Sequence, residues 1–410
     1  MRQGSIGDAQ QPSRYLMHHY RTLAVVLLLA LPGAVSAQDS REALIAAAQA
    51  DKATRLAPYT PTRAERLLAA AGEALSGLPK GFYPIIGSVY GGGGFTPGLG
   101  YRQYYGDRTH WDARALYSVE NYALFELSTD APGLANDRIG VHLRGGWRDA
   151  TQVGYYGIGT DTPRERSNYR FSQTYAAGDV AWNPAWWTPI RGGASYEHFA
   201  LDEGQGQEPS IEEVHSPASA PGLGLDHTYL HLTGSAGIDW RPAPGYARRG
   251  GLYQVAYHNY ADVDGEFGFD RLDAEVIQHL PILRENWVIS LRGRVQTTLG
   301  DTDAVPFFLL PSLGSGSTLR GYSSGRFRDR HSLLMNAEWR WIPSRLAMDM
   351  AIFYDAGKVA PEWDGLGLFN LNRSVGVGVR LHTLVATPIR IEFAKGTEGL
   401  RLVISGHAAF

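Results

Sequence analysis

From Gly81 to Phe410 the sequence alternates apolar and polar residues with a period of two, and few folds accept that pattern over so long a stretch. Leu346, Met348, Met350, Ile352 and Tyr354 alternate with Ala347, Asp349, Ala351, Phe353 and Asp355. Val375, Val377, Val379 and Leu381 alternate with Ser374, Gly376, Gly378, Arg380 and His382, and Trp287, Ile289 and Leu291 with Ser290, Arg292 and Arg294. Successive side chains on a strand point to opposite faces, so each segment presents one apolar face and one polar, charged face. A soluble antiparallel sandwich alternates as well. These runs, however, exceed the roughly 5–6 residues usual in soluble sheets and suit a tilted membrane strand. Trp and Tyr gather near the strand ends, and short Pro-rich turns alternate with long polar loops at 151–168, 203–225, 301–328 and 359–372, as in outer-membrane barrels.

Composition narrows the class further. The chain has 49 Gly, 22 Tyr and 10 Trp, and charged residues are only 19%, against about 25% in soluble domains. The 38 basic and 41 acidic residues give a net charge of -3, which argues against a nucleic-acid partner. With no cysteine, disulfides, thiolate chemistry and Cys-based zinc sites are excluded.

The 410 residues divide into three parts. Residues 1–37 read as a signal peptide: a basic flank, the apolar run Leu23–Leu31, then Val35-Ser36-Ala37 at the cut. That run is too short for a membrane anchor, which needs about 20 apolar residues. Residues 38–80 read as two short Ala-rich helices, the second opening with Thr62 and Glu65 as a capping box. They form either a periplasmic linker or a plug. Residues 81–410 read as an all-β transmembrane barrel of 16 antiparallel strands: eleven before Arg328 and five after, with 109–130 broken into two near Asn121. Leaving that stretch whole and omitting 81–94 gives 14.

The polar face carries Asp239, His258, Asp273, Glu275, Arg292, Arg294, Glu338, Arg340, Asp355, Arg380, Arg390, Glu392 and Arg401. Mixed signs of this kind either tune a water-filled pore or pair with an inserted loop. The longest late loop contains Ser317-Thr318-Leu319-Arg320-Gly321-Tyr322 and then Gly325-Arg326-Phe327-Arg328. The next two strands read Asn336-Ala337-Glu338-Trp339-Arg340-Trp341 and Ile352-Phe353-Tyr354-Asp355-Ala356-Gly357.

These segments resemble the signature of the BamA/TamA superfamily of outer-membrane barrels (the bacterial surface antigen barrels). There a [VL]-R-G-[FY] loop tip folds into the lumen and a later strand carries F-x-D-x-G. The resemblance covers 81–410 and is strongest over 306–410. It implies that Arg320 pairs with Asp355 and lies near Glu338, that Gly321 permits the turn, and that Tyr322 packs on the wall. It implies a bacterial outer-membrane location and the transport or membrane insertion of a protein or lipid substrate, with the 301–328 loop gating the lumen. Arg292, Arg294, Arg340 and Arg380 would be lumen charges. Residues 38–80 are too short for the POTRA domain of the best-known members, so the chain resembles the short, POTRA-less ones. Phe410 fits the C-terminal aromatic of outer-membrane proteins.

The first strand is expected to hold Gly91, Gly92, Gly93 and Gly94, which specify register weakly. Pairing with the last strand, near Phe410, would then make a weak seam like the superfamily's lateral gate; a bulge or crowded turn explains the run equally well. Catalysis finds no support. Gly321-Tyr322-Ser323-Ser324-Gly325 matches G-x-S-x-G but lacks the helix that a nucleophile elbow needs. His227 and His231 stand too far apart on one strand to chelate a metal. The expectation is a barrel that is not an enzyme, with no cofactor and no metal. Its partners would be outer-membrane lipid, the barrel assembly machinery during insertion, a protein or lipid substrate and a second copy of itself. A passive porin and an anchor for a periplasmic partner are the rival readings.

Overall fold

The computed structural model describes residues 43–51 and 79–410, apart from Arg284, residues 301–303, residues 344–346 and Leu384. The chain divides into two compact units, Met1–Leu67 and Leu68–Phe410. In the first, residues 43–51 form an exposed helix. The expected signal peptide and the capping box at Thr62 lie outside the described residues, as does most of the 38–80 segment. No described helix is long and apolar enough to cross a membrane.

The second unit is a barrel of sixteen antiparallel strands, each paired with its neighbour in sequence. Its first eleven are β1 (Gly81–Ile86), β2 (Pro97–Tyr104), β3 (His110–Tyr117), β4 (Ala123–Gly133), β5 (Ile139–Tyr155), β6 (Ser167–Trp182), β7 (Ile190–Glu203), β8 (His227–Asp239), β9 (Gly250–Asp262), β10 (Phe269–Ile282) and β11 (Trp287–Leu299). A loop follows whose neck is a separate hairpin of β12 (Ser312–Leu313) and β13 (Phe327–Arg328). The barrel resumes with β14 (His331–Trp341), β15 (Met348–Ala360), β16 (Asn372–Leu381), β17 (Ile389–Gly396) and β18 (Gly399–Ser405). The break between β3 and β4 falls at Asn121, whose φ of 60° is a turn conformation.

Alternation translates directly into two faces. On β15, Met350, Ile352 and Tyr354 are exposed on the outside while Asp349, Phe353 and Asp355 are buried inside. Trp182, Trp187, Trp287 and Trp341 are exposed at the short-turn end, where amphipathic rings suit a membrane interface. At the long-loop end the lumen is filled. Phe307 and Phe308 of the loop after β11 pack edge-on against Tyr155, Tyr169 and Phe171, with ring centroids 4.9–5.7 Å apart. Phe199 and Tyr229 extend the same buried cluster.

The seam is the weak place. Among the described residues no ladder joins β1 to β18. These are also the shortest barrel strands, 6 and 7 residues, against 17 in β5. One expectation needs correction here. Gly91–Gly94 do not lie on the first strand but in the turn between β1 and β2; Gly92 and Gly94 have φ of 95° and 68°, values that leave the strand region. Phe410 does not continue the outward parity of Leu402 and Ile404. The strand ends at Ser405, and the Phe410 ring lies parallel to His279 at 6.4 Å and under the Arg292 guanidinium at 5.9 Å. Both of those residues belong to the polar faces of β10 and β11, so the segment after β18 turns inward.

Short, unladdered edge strands open at little cost. Amide hydrogen exchange in micelles should therefore be at least about tenfold faster in β1 and β18 than in β6–β10. Equal protection would mean that the seam is closed by hydrogen bonds.

Candidate functional site: an inserted loop on a buried ion cluster

The loop between β11 and β14 turns back on itself at Ser315–Tyr322. Gly314 (φ 102°) starts the turn, Gly314 N donates to Thr318 Oγ1 at 3.0 Å, and Tyr322 N donates to Leu319 O at 3.1 Å. Leu319, Tyr322 and Phe327 join Leu313, Leu334 and Val359 in a small buried cluster that seats the turn on β14 and β15. The geometry leaves Arg320 pointing into the barrel.

Arg320 is buried, with 1% of its side chain exposed. Its Nε donates to Asp355 Oδ2 at 3.0 Å and its Nη2 to Asp355 Oδ1 at 2.7 Å, a two-pronged grip that only a planar guanidinium can make. Its backbone N–H donates to the same carboxylate at 3.1 Å. Nη1 reaches Glu338 at 3.1 Å and Glu392 at 3.3 Å, and the guanidinium lies 3.4 Å from the Phe353 ring centroid. Arg380 binds Glu338 at 2.5 Å and Glu392 at 2.6 Å, and Arg390 binds Glu392 at 2.8 Å. Three arginines thus face three carboxylates, so the cluster is neutral. Asn336 and Ser374 donate to the remaining Asp355 lone pairs at 2.8 and 3.1 Å. Burial opposes the charge on Arg320, but the Asp355 hydrogen bonds and the three carboxylates outweigh it and its pKa is raised.

Gly321 sits where no side chain fits. A Cβ there would lie 2.6 Å from Gly396 N and from Ser374 Cβ. Tyr322 OH reaches Arg373 O at 3.2 Å and Thr397 Oγ1 at 3.1 Å. Arg292 bridges wall and loop, holding Glu275 at 2.7 Å and Ser317 O at 2.8 Å. Arg294 meets Asp273 on the wall at 3.3 Å, and Arg340 forms a separate pair with Asp349 at 2.7 Å.

Several contacts were not among the pairings expected from the sequence. Phe353 supplies the ring beneath Arg320. Glu392 and Arg390 complete the cluster. Arg326 ties the loop to the β17–β18 turn through Glu398 at 2.7 Å and to Thr162 at 2.6 Å. Ser323, centre of the G-x-S-x-G match, accepts from Arg401 at 2.9 Å. His227 and His231 take separate partners, Gly222 O and Glu197.

A sixteen-stranded barrel whose late loop enters the lumen and is gripped there through one arginine defines a class of protein. Residues 235–399 match the Omp85 superfamily domain, and they include the loop and every carboxylate that holds Arg320. Among solved structures the barrel is similar to BamA from Haemophilus ducreyi lacking POTRA domains 1–3, at 14% identity and TM-score 0.58, over 79% of this chain and 69% of that one. It is also similar to CdiB from Escherichia coli, at 11% identity and TM-score 0.53, over 79% of this chain and 61% of that one. At these identities the likeness is one of fold. No curated protein sequence matches the chain.

Removing one partner of a buried ion cluster strands the others. Asp355→Ala should cost about 3–5 kcal/mol, read as a lower unfolding midpoint of the refolded barrel in detergent. Gly321→Ala should lift the tip without removing a charge, so limited proteolysis should cut the 304–330 loop faster while the barrel stays compact.

Proposed function

We propose that this chain is a gated barrel of the bacterial outer membrane that transports or inserts a protein or lipid substrate, and that the inserted loop is its gate. The observation that carries the reading is the pairing of a loop locked inside the lumen with a seam that, among the described residues, no ladder closes. A passive pore needs neither. It is served by a wide, solvated lumen, whereas here one side is filled by the Phe307–Phe308 cluster and the other by the Arg320 turn. The likeness in fold to BamA and CdiB, together with the Omp85 superfamily match over 235–399, supports a task on macromolecular substrates.

In this mechanism Arg320 stores the closed state. Its partners lie on β14, β15 and β17, so leaving the lumen requires breaking contacts to all three strands together. Arg326 and Tyr322 join the loop to the β17–β18 turn, next to the seam. Motion of the loop therefore bears on the free edge of β18, whose unpaired amides and carbonyls could accept a strand or border a lipid. Arg320, Gly321, Tyr322, Glu338 and Asp355 act as positioning and gating groups, and no catalytic role is assigned to them.

The test is single-channel conductance of the refolded barrel in planar bilayers, beside Arg320→Ala. The expected result is a closed or flickering wild type and a variant with longer, larger openings. A large, steady conductance that the substitution leaves unchanged would make the barrel a porin.

A further inference from the structure

Between the β1–β2 turn and β18 lies a cleft of about 610 Å³ that reaches from the seam to the inserted loop. Its lining is unusual for a chain with a net charge of -3. Arg320, Arg328, Arg390 and Arg401 line it, and no Asp or Glu does. Two of the four are neutralised from behind, Arg320 by Asp355 and Arg390 by Glu392. Arg401 is exposed, and among the described residues its guanidinium hydrogen-bonds the neutral Ser323 hydroxyl at 2.9 Å and no carboxylate. Arg328 is buried, and its Nε and Nη1 have no acceptor among the described residues. Serine hydroxyls at 312, 315, 317 and 324 face the same space.

The rim differs from the floor. Ile86, Phe95, Leu402 and Ile404 are each at least 44% exposed, and Leu402 and Ile404 belong to the outward, membrane-facing side of β18. A cationic, hydroxyl-rich floor behind an apolar lip matches an anionic amphiphile, and a guanidinium binds phosphate oxygens in the same forked way as a carboxylate. We propose that this cleft binds the phosphate headgroup of an anionic membrane lipid, with Arg401 as the principal contact and the acyl chains lying along Ile86, Leu402 and Ile404. The proposal stands on the cleft alone and holds whether or not the seam opens.

Binding there would engage the side chain that now holds Ser323, so the lipid would touch the inserted loop through Arg401. The turn glycines supply the room: a Cβ at Gly91 would lie 2.1 Å from Ser324 Oγ, and one at Gly93 2.7 Å from the Tyr122 ring. Only a turn without side chains lets β1, the loop and β18 meet around an open space.

Native mass spectrometry of the full refolded chain tests the idea, with phosphatidylglycerol and phosphatidylcholine added in equal amounts and inorganic phosphate as competitor. The expected result is at least about tenfold preference for phosphatidylglycerol, lost in Arg401→Gln and reduced but not lost in Arg401→Lys, which keeps the charge without the fork, with free phosphate unable to displace the lipid. Equal retention of the two lipids, or a preference that survives Arg401→Gln, overturns the proposal. Displacement by millimolar phosphate overturns the lipid assignment in favour of a free-anion site. Unchanged heat-modified mobility of each variant certifies the fold.

Discussion

One arginine organises the interior. Burying a guanidinium costs several kcal/mol unless carboxylates and hydrogen bonds surround it, and the barrel supplies Asp355, Glu338 and Glu392 from three strands and the face of Phe353. Because Arg380 and Arg390 share those carboxylates, no member of the cluster is spare. The loop is held by geometry as much as by charge: the same contacts fix where Gly321 passes β17, and there the approach is too close for any side chain.

Tightness at this point coexists with looseness at the neighbouring strand, since β17 borders β18. The central strands are long and laddered on both sides, whereas β1 and β18 are short and, among the described residues, no ladder joins them. A barrel that only had to enclose a pore would gain from closing that gap, since unpaired backbone in hydrocarbon costs free energy. The gap is instead lined with arginine and serine and rimmed with apolar residues, which gives it a chemical character of its own.

Much of this was legible in the sequence because its period-two alternation is strong and its loop motif is specific. Alternation assigned the faces of β14 to β17, and the loop motif singled out Arg320 and Asp355. What alternation cannot supply is the offset between neighbouring strands, so Glu392 and Arg390 were readable as inward charges but not as neighbours of Arg320. Phe353 carried a signal that went unused, an aromatic residue on the polar parity of its strand. The glycine run at 91–94 suits a weak strand or a turn equally in composition, and only the positive φ values separate the two. Phe410 shares the parity of Ile404, but Gly406 and two alanines intervene, and the chain leaves the strand there.

The residues that bind Arg320 all follow it in the chain. The loop can therefore dock on β14 to β17 using a continuous stretch of fewer than about a hundred residues, and closing so local a circuit costs little conformational entropy. The C-terminal third can acquire its lumenal filling as a pre-folded sheet, before the distant β1 edge arrives. Viewed as a folding pathway, the arginine is then a nucleus that fixes the curvature of the last strands, and the meeting of β1 with β18, the contact of greatest sequence separation, is left for last.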